Sequence, residues 1–331
     1  MTAAGSDPKY SDALATFEPF EPFMLDDAHR DLAGRVLAWS LHCSQAADVT
    51  EHAGRTFFAS TFGTLCAPRS ATREELRISI EFLMIFFQID DAPSAIMNEI
   101  YLPYLEGNGR SESSPAAREF QCYHDSLMSH FDPSRGETVE FREALRDICR
   151  AMCIEKSADQ QAWTEAELLR IRKVIVGIPA FSACWRAIRR IRFSPAIADA
   201  LGEHAVLDVT CEIACLVNDI ASFDRDAKMA ATDAANVDPN LVVFRMRTLG
   251  DREAALESAI AWYNSKVEQF HRAEQALLQG EHGRDPALRG YLEILHCAIV
   301  GDLATSKHLV PLRYEGSAAA LDRLVKLDEL G

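Results

Sequence analysis

The sequence turns on one stretch, CLVNDIASFDRD, from Cys215 to Asp226. A mostly apolar run, containing Ala205-Val206-Leu207 and Ile213-Ala214, becomes abruptly polar at Asn218. Asn218, Ser222 and Asp226 then stand four residues apart. Residues at i and i+4 share one helical face, so three oxygen-bearing side chains stack along a single stripe. Asp224, six residues from Asn218, turns off that stripe.

A second apolar run behaves alike. Phe82 to Ile89, FLMIFFQI, is broken only by Gln88 and leads into Asp90-Asp91; between Ala205 and Val217 the exceptions are Asp208, Thr210 and Glu212. A helix that is apolar on nearly every side is buried at the centre of a bundle. Two central helices are therefore expected to carry oxygen ligands to the end of an apolar cavity.

The rest of the chain is helical in pattern. Glu257 to Leu278 places apolar residues at nearly every third or fourth position, and residues 141 to 156 do likewise. Pro115 to Phe131 and Asp285 to Leu309 are further long helical candidates. Alternating strand patterns and Asn-Gly or Asp-Gly hairpin turns are absent. The chain reads as all-α. Breaks fall at Gly107 to Pro115, Asp132 to Glu137 and Asp226 to Asn240, and none flanks a change in composition. One helical domain over 1–331 is expected, with an N-terminal segment 1–25 and a C-terminal tail 315–331.

Composition narrows the function. With 331 residues, 48% of them hydrophobic and 25% charged, the chain has ordinary globular composition and length enough for a sizeable core. A net charge of −16 argues against a nucleic-acid partner and against adhesion to anionic lipid. Attraction for an anionic substrate must then be local, from metal ions or a few placed basic residues. No apolar run reaches the ~18 residues of a membrane span. The start, MTAAGSDPKYSDALATFEPFEPF, lacks the basic and apolar regions of a secretory signal. Nine cysteines include no CxxC, and Cys149/Cys153 and Cys211/Cys215 are i,i+4 pairs. They read as reduced core thiols of a cytoplasmic protein.

Carboxylates on central helices must be paired or metal-bound, because an isolated buried charge is too costly. Few cations lie near them in the sequence, whereas Asp, Asn and Ser oxygens suit Mg²⁺. Mg²⁺ keeps waters and completes its shell with substrate phosphates. A dry apolar pocket under Mg²⁺ and phosphate suits a substrate with a long greasy tail and a diphosphate head.

These residues resemble the bacterial class I terpene synthases. Those enzymes carry an aspartate-rich motif, DDxxD or DDxxxD/E, on one helix and a triad, (N/D)DxxSxxxE, on another. This chain offers Asp90-Asp91-Ala92-Pro93-Ser94 and Asn218-Asp219-Ile220-Ala221-Ser222-Phe223-Asp224-Arg225-Asp226. Arg172, forty-six residues before Asn218, falls where the family keeps a diphosphate-sensing arginine. Arg225 stands where a Lys or Arg commonly touches diphosphate. Arg313-Tyr314 in PLRYEG matches a C-terminal RY pair, and FFASTFGTLCAPRSATREEL resembles the lead-in to the first motif. The likeness spans residues 55 to 315.

The resemblance implies a single-domain helical bundle with a central apolar active-site cavity. It implies an Mg²⁺-dependent enzyme that ionises a linear isoprenyl diphosphate, farnesyl or geranylgeranyl, releases diphosphate and cyclises the carbocation. Asp90, followed by Asp91, would bridge two Mg²⁺ ions, while Asn218, Ser222 and Asp226 would hold a third. Arg172, Arg225, Arg313 and Tyr314 would donate hydrogen bonds to the diphosphate, arginine being suited by its two-pronged fork. A helix break at Gly177-Ile178-Pro179 would present a carbonyl of Val176 or Gly177 to the substrate. Phe86, Phe87, Phe181 and Trp185 could turn ring faces to a cation; each is equally a plain core residue on sequence alone. Members often form homodimers, and nothing in the sequence decides that here.

The chain also departs from the family. Ser94 replaces the third acidic residue of the first motif, and Glu99 is too far along to substitute. Asp226 replaces the Glu of the triad. Asn218 to Asp226 spans about 12 Å of helix, so the outer ligands must lean inward, and losing a methylene shortens the reach by about 1 Å. Weak binding of the third Mg²⁺ is expected. Thr305, in Gly301 to Ser306, stands where the family often has Trp. Two alternatives stay open: a chain-elongating prenyltransferase, against which the Asn-Ser-Asp ladder argues, and a helical protein that binds isoprenoid diphosphate without turnover.

Overall fold

The fold is described from a computed structural model, over residues 18–44, 49–107, 114–157, 162–232, 239–313 and 318–330. Among these residues every regular element is helical, as the all-α reading expects. The chain divides into two compact units, Met1–Cys153 and Ile154–Gly331, and each is described by itself.

The first unit is built on α1 (Asp27–Ser44), α2 (Val49–Leu65), α3 (Arg73–Asp91), α4 (Pro115–Met128) and α5 (Gly136–Ser157), within which the unit ends. α3 starts at a capping box: Thr72 Oγ1 accepts from Glu75 N, and Glu75 accepts from Thr72 N. Such reciprocal caps satisfy two orphan amides and fix where the helix begins. From Ser79 to Ile85 every residue of α3 is buried. Its apolar face packs against α1, α2 and α4, with Phe82 edge-on to Phe141 at 5.6 Å. Glu81, 1% exposed, is held by Arg77 and by His130 at 3.1 Å.

In the second unit follow α6 (Glu165–Ile175), α7 (Ile178–Arg189), α8 (Pro195–Glu203), α9 (Val206–Thr232), α10 (Leu241–Leu249), α11 (Arg252–Gln279) and α12 (Pro286–Arg313). α9 is the central element, packed against α6, α7, α10, α11 and α12. Its side chains are buried without interruption from Val209 to Val217. Polar members of that run find local partners: Thr210 Oγ1 returns its proton to Val206 O at 2.8 Å, and Lys266 reaches Glu212 at 3.0 Å.

The expected break at Asp226 does not begin there. α9 runs on to Thr232, because Ala-Lys-Met-Ala-Ala after Asp226 are good helix formers and no Gly or Pro intervenes. The oxygen stripe therefore sits inside a continuous helix. Asn240, in the expected break, caps α10 by accepting from Val242 N at 2.8 Å and Val243 N at 3.0 Å.

The nine cysteines are free, and burial pushes the Cys184 and Cys215 thiols well above their ordinary range. Inert core thiols result. Among the described residues no helix is long and apolar enough to cross a membrane.

Candidate metal and diphosphate site

In the second unit, burial along α9 separates the three members of the stripe. Asn218 is exposed, whereas Ser222 and Asp226 are each 2% exposed. Ser222 Oγ donates to Asp226 Oδ2 at 2.6 Å, so the helical i,i+4 spacing brings those two oxygens together. Arg225 Nε donates to Asp226 Oδ1 at 2.7 Å. Asn240 Nδ2 lies 3.1 Å from Ser222 Oγ, 2.9 Å from Asp226 Oδ2 and 2.9 Å from the Asp219 carbonyl.

Asn218 faces a different partner. Its Oδ1 accepts from Arg172 Nη2 at 3.1 Å, and the same guanidinium nitrogen bonds Asp219 Oδ1. Asp219 Oδ2 accepts from Leu241 N at 2.8 Å. Burial pushes Asp219 up to about 6, against the pull of Arg172 and the Leu241 amide. For Arg172 burial opposes the charge, yet Asp219 and its neighbours raise its pKa above the usual value. The guanidinium stays charged. Arg172 thus ties α6 to α9, while its Nε is buried without a hydrogen-bond partner.

The expectation that few cations lie near these carboxylates is corrected on this point. Arg172 and Asp219 are forty-seven residues apart in sequence yet form a buried pair. In the first unit Arg55 Nη2 sits 3.4 Å from Asp91 Oδ2. Tertiary packing brings in cations that proximity along the chain conceals.

Asp90 and Asp91 form the exposed C-terminal end of α3. Ala92 leaves the helix in extended backbone before Pro93. Ser94 opens a short helical turn, and a π-helical turn follows at Met97–Tyr101 with Glu99 exposed. Insertions of that kind recur at functional sites. Phe86 and Phe87 are half-buried, ring centroids 5.5 Å apart.

The expected helix break is present. α6 stops at Ile175, Val176 caps it, and Gly177 takes φ +81°, a left-handed conformation natural to glycine. Gly177 O accepts from Phe181 N at 2.8 Å and so serves the first turn of α7. Of the two carbonyls expected to reach a substrate, that of Gly177 is therefore already engaged. Phe181 and Trp185 are both buried, 6.4 Å apart in a T-shaped pair, and Trp185 Nε1 has no hydrogen-bond partner. The Arg313 side chain and Tyr314 lie outside the described residues.

Several residues escaped the sequence reading. Asn240 has a signal, a capping residue just before the apolar run LVVF. Arg55 has none. Asp302 on α12 is 7% exposed, and its Oδ2 has no hydrogen-bond partner; burial pushes it up to about 8. Nearby Thr305 is likewise buried with its hydroxyl unpartnered.

Among the described residues no three His, Cys, Asp or Glu side chains group as a metal site. The stripe is a different set: an amide oxygen, a hydroxyl and one carboxylate, all hard oxygens. Ser222 Oγ and Asp226 are close enough to touch one ion, and such a set suits Mg²⁺ that keeps waters and takes phosphate oxygens. The donor chemistry fits.

A family model described as "Terpene synthase family 2, C-terminal metal binding" matches residues 95–271. No curated protein matches the chain. Among solved structures, wild-type cucumene synthase is 20% identical over 83% of this chain and 94% of its own, with a TM-score of 0.62. Apo hedycaryol synthase is 17% identical over 85% and 94%, with a TM-score of 0.65. The linalool/nerolidol synthase from Streptomyces clavuligerus, in complex with 2-fluorogeranyl diphosphate, is 18% identical over 84% and 98%, with a TM-score of 0.66. At such identities the likeness is one of fold.

Proposed function

The chain belongs to terpene synthase family 2, and on that premise we propose that it ionises a linear isoprenyl diphosphate, farnesyl or geranylgeranyl, with Mg²⁺. The supporting observation is the buried Ser222–Asp226 pair in line with Asn218 on α9, with Arg172 of α6 bonded to that same Asn218. In the first step the allylic C–O bond breaks, its electron pair leaves with the diphosphate, and a carbocation remains. Ring closure follows when a double bond of the same chain attacks that cation. Loss of a neighbouring proton, or addition of water, ends the sequence as hydrocarbon or alcohol.

Asp90 and Asp91 in the first unit, and Asn218, Ser222 and Asp226 in the second, would hold Mg²⁺. Bound Mg²⁺ supplies positive charge where negative charge builds on the leaving diphosphate. Arg172, Arg225, Arg313 and Tyr314 would donate hydrogen bonds to the same group. Arg172 is already oriented by Asp219 and Asn218, which reduces the reorganisation needed when substrate arrives. Such local cations answer the net charge of −16. The Val176 carbonyl and the rings of Phe86, Phe87, Phe181 and Trp185 would stabilise the carbocation and offer it no reactive nucleophile.

Incubation with geranyl, farnesyl and geranylgeranyl diphosphate, each with Mg²⁺, tests this reading through diphosphate release and analysis of volatiles. Release with cyclic products from the C15 or C20 substrate is expected. Products longer than the substrate, formed only with isopentenyl diphosphate, would instead mark a chain-elongating prenyltransferase. Binding without release would mark an isoprenoid-diphosphate carrier.

A further inference from the structure

Asn240 belongs to no motif used above, yet it touches the stripe at more points than any of the stripe's own members. Its side chain has two ends with separate tasks. The oxygen caps α10 through Val242 N and Val243 N. The nitrogen, in a residue 3% exposed, carries two hydrogens for three acceptors: the Asp219 carbonyl, and Ser222 Oγ and Asp226 Oδ2, which lie side by side.

Counting lone pairs shows what the nitrogen does. Asp226 Oδ2 accepts from both Ser222 and Asn240, which uses its two acceptor positions. Asp226 Oδ1 accepts from Arg225 and retains one. Ser222 Oγ gives its proton to Asp226 and accepts from Asn240, so one lone pair remains. The network therefore fixes the hydroxyl rotor and leaves one acceptor position on Ser222 Oγ and one on Asp226 Oδ1. Without the amide donor, the Ser222 hydroxyl could rotate and Asp226, one methylene short of the family's Glu, would lose one of the three contacts that hold its carboxylate in place.

We propose that Asn240 is a positioning residue for a divalent cation at Ser222 and Asp226, orienting both oxygens from the N-terminus of α10. The inference rests on the metal reading given under the proposed function. Partners of this kind commonly govern metal affinity, and their loss costs about 10- to 100-fold.

The two ends of the side chain separate the positioning role from a merely structural one. Asn240→Ser and Asn240→Thr each keep an oxygen able to cap α10, and each removes the amide donor. Mn²⁺ is titrated into the full-length protein with inorganic pyrophosphate, and free Mn²⁺ is read by electron paramagnetic resonance, with Ser222→Ala as reference. Both Asn240 variants are expected to bind Mn²⁺ about tenfold more weakly with a thermal midpoint close to the parent's. Parent-like Mn²⁺ affinity in either Asn240 variant, beside a weakened Ser222→Ala, would overturn the role of Asn240 alone. Unchanged affinity in Ser222→Ala would overturn the metal reading of the stripe, and this inference with it.

Discussion

At the scale of single residues, Asp226 and Asp302 carry the sharpest expectations. Asp226 stands where the family has Glu, and its carboxylate is drawn to Ser222, Arg225 and Asn240. Asp226→Glu restores the missing methylene, and the Mg²⁺ concentration for half-maximal turnover should fall severalfold. An unchanged Mg²⁺ dependence would show that the short side chain is no handicap. Asp302 tests a different balance. Burial raises its folded pKa to about 8, well above the ordinary carboxylate value of about 3.9. A raised folded pKa contributes stability below the unfolded value and loses it as pH rises to the folded value. Asp302→Asn should therefore raise the thermal midpoint increasingly between pH 4 and pH 8, by calorimetry, with little gain at pH 4. The stripe itself was legible from spacing, because i,i+4 geometry needs no tertiary knowledge. Arg55, Arg172 as the partner of Asp219, and the orphaned Asp302 were not, because packing of distant segments sets them.

Elements were easier to read than their ends. α11 and α12 follow the periodic patterns from Glu257 and Asp285 to within a few residues, and α4 and α5 do likewise. The exception is α9, where the break expected from Asp226 onward begins only after Thr232. Polarity there marks a site along the helix, since buried oxygens with mutual partners cost the helix little. The α6–α7 break is the element that depends on one residue. At φ +81°, Gly177→Ala forces a side chain into left-handed backbone at about 1–2 kcal/mol. Denaturant unfolding should register that loss. Turnover should fall further than stability alone explains, because the Val176 carbonyl would move.

For the molecule as a whole, composition excluded more than it identified. The charge of −16 set aside nucleic acid and anionic lipid, and demanded local cations for an anionic substrate. The helical class was legible throughout; the two compact units were not, because no change of composition marks a division at Cys153. Asp90 belongs to the first unit and the Asn218–Ser222–Asp226 stripe to the second, so each is tested by its own variant. Asp90→Ala isolates the first contribution while leaving the Asn240 network untouched. The decisive measurement is Mg²⁺-dependent diphosphate release from farnesyl or geranylgeranyl diphosphate by the parent and by Asp90→Ala, with folding of both checked by circular dichroism. The parent should release diphosphate, and the folded variant should release essentially none. Near-normal release by Asp90→Ala would contradict the proposed site.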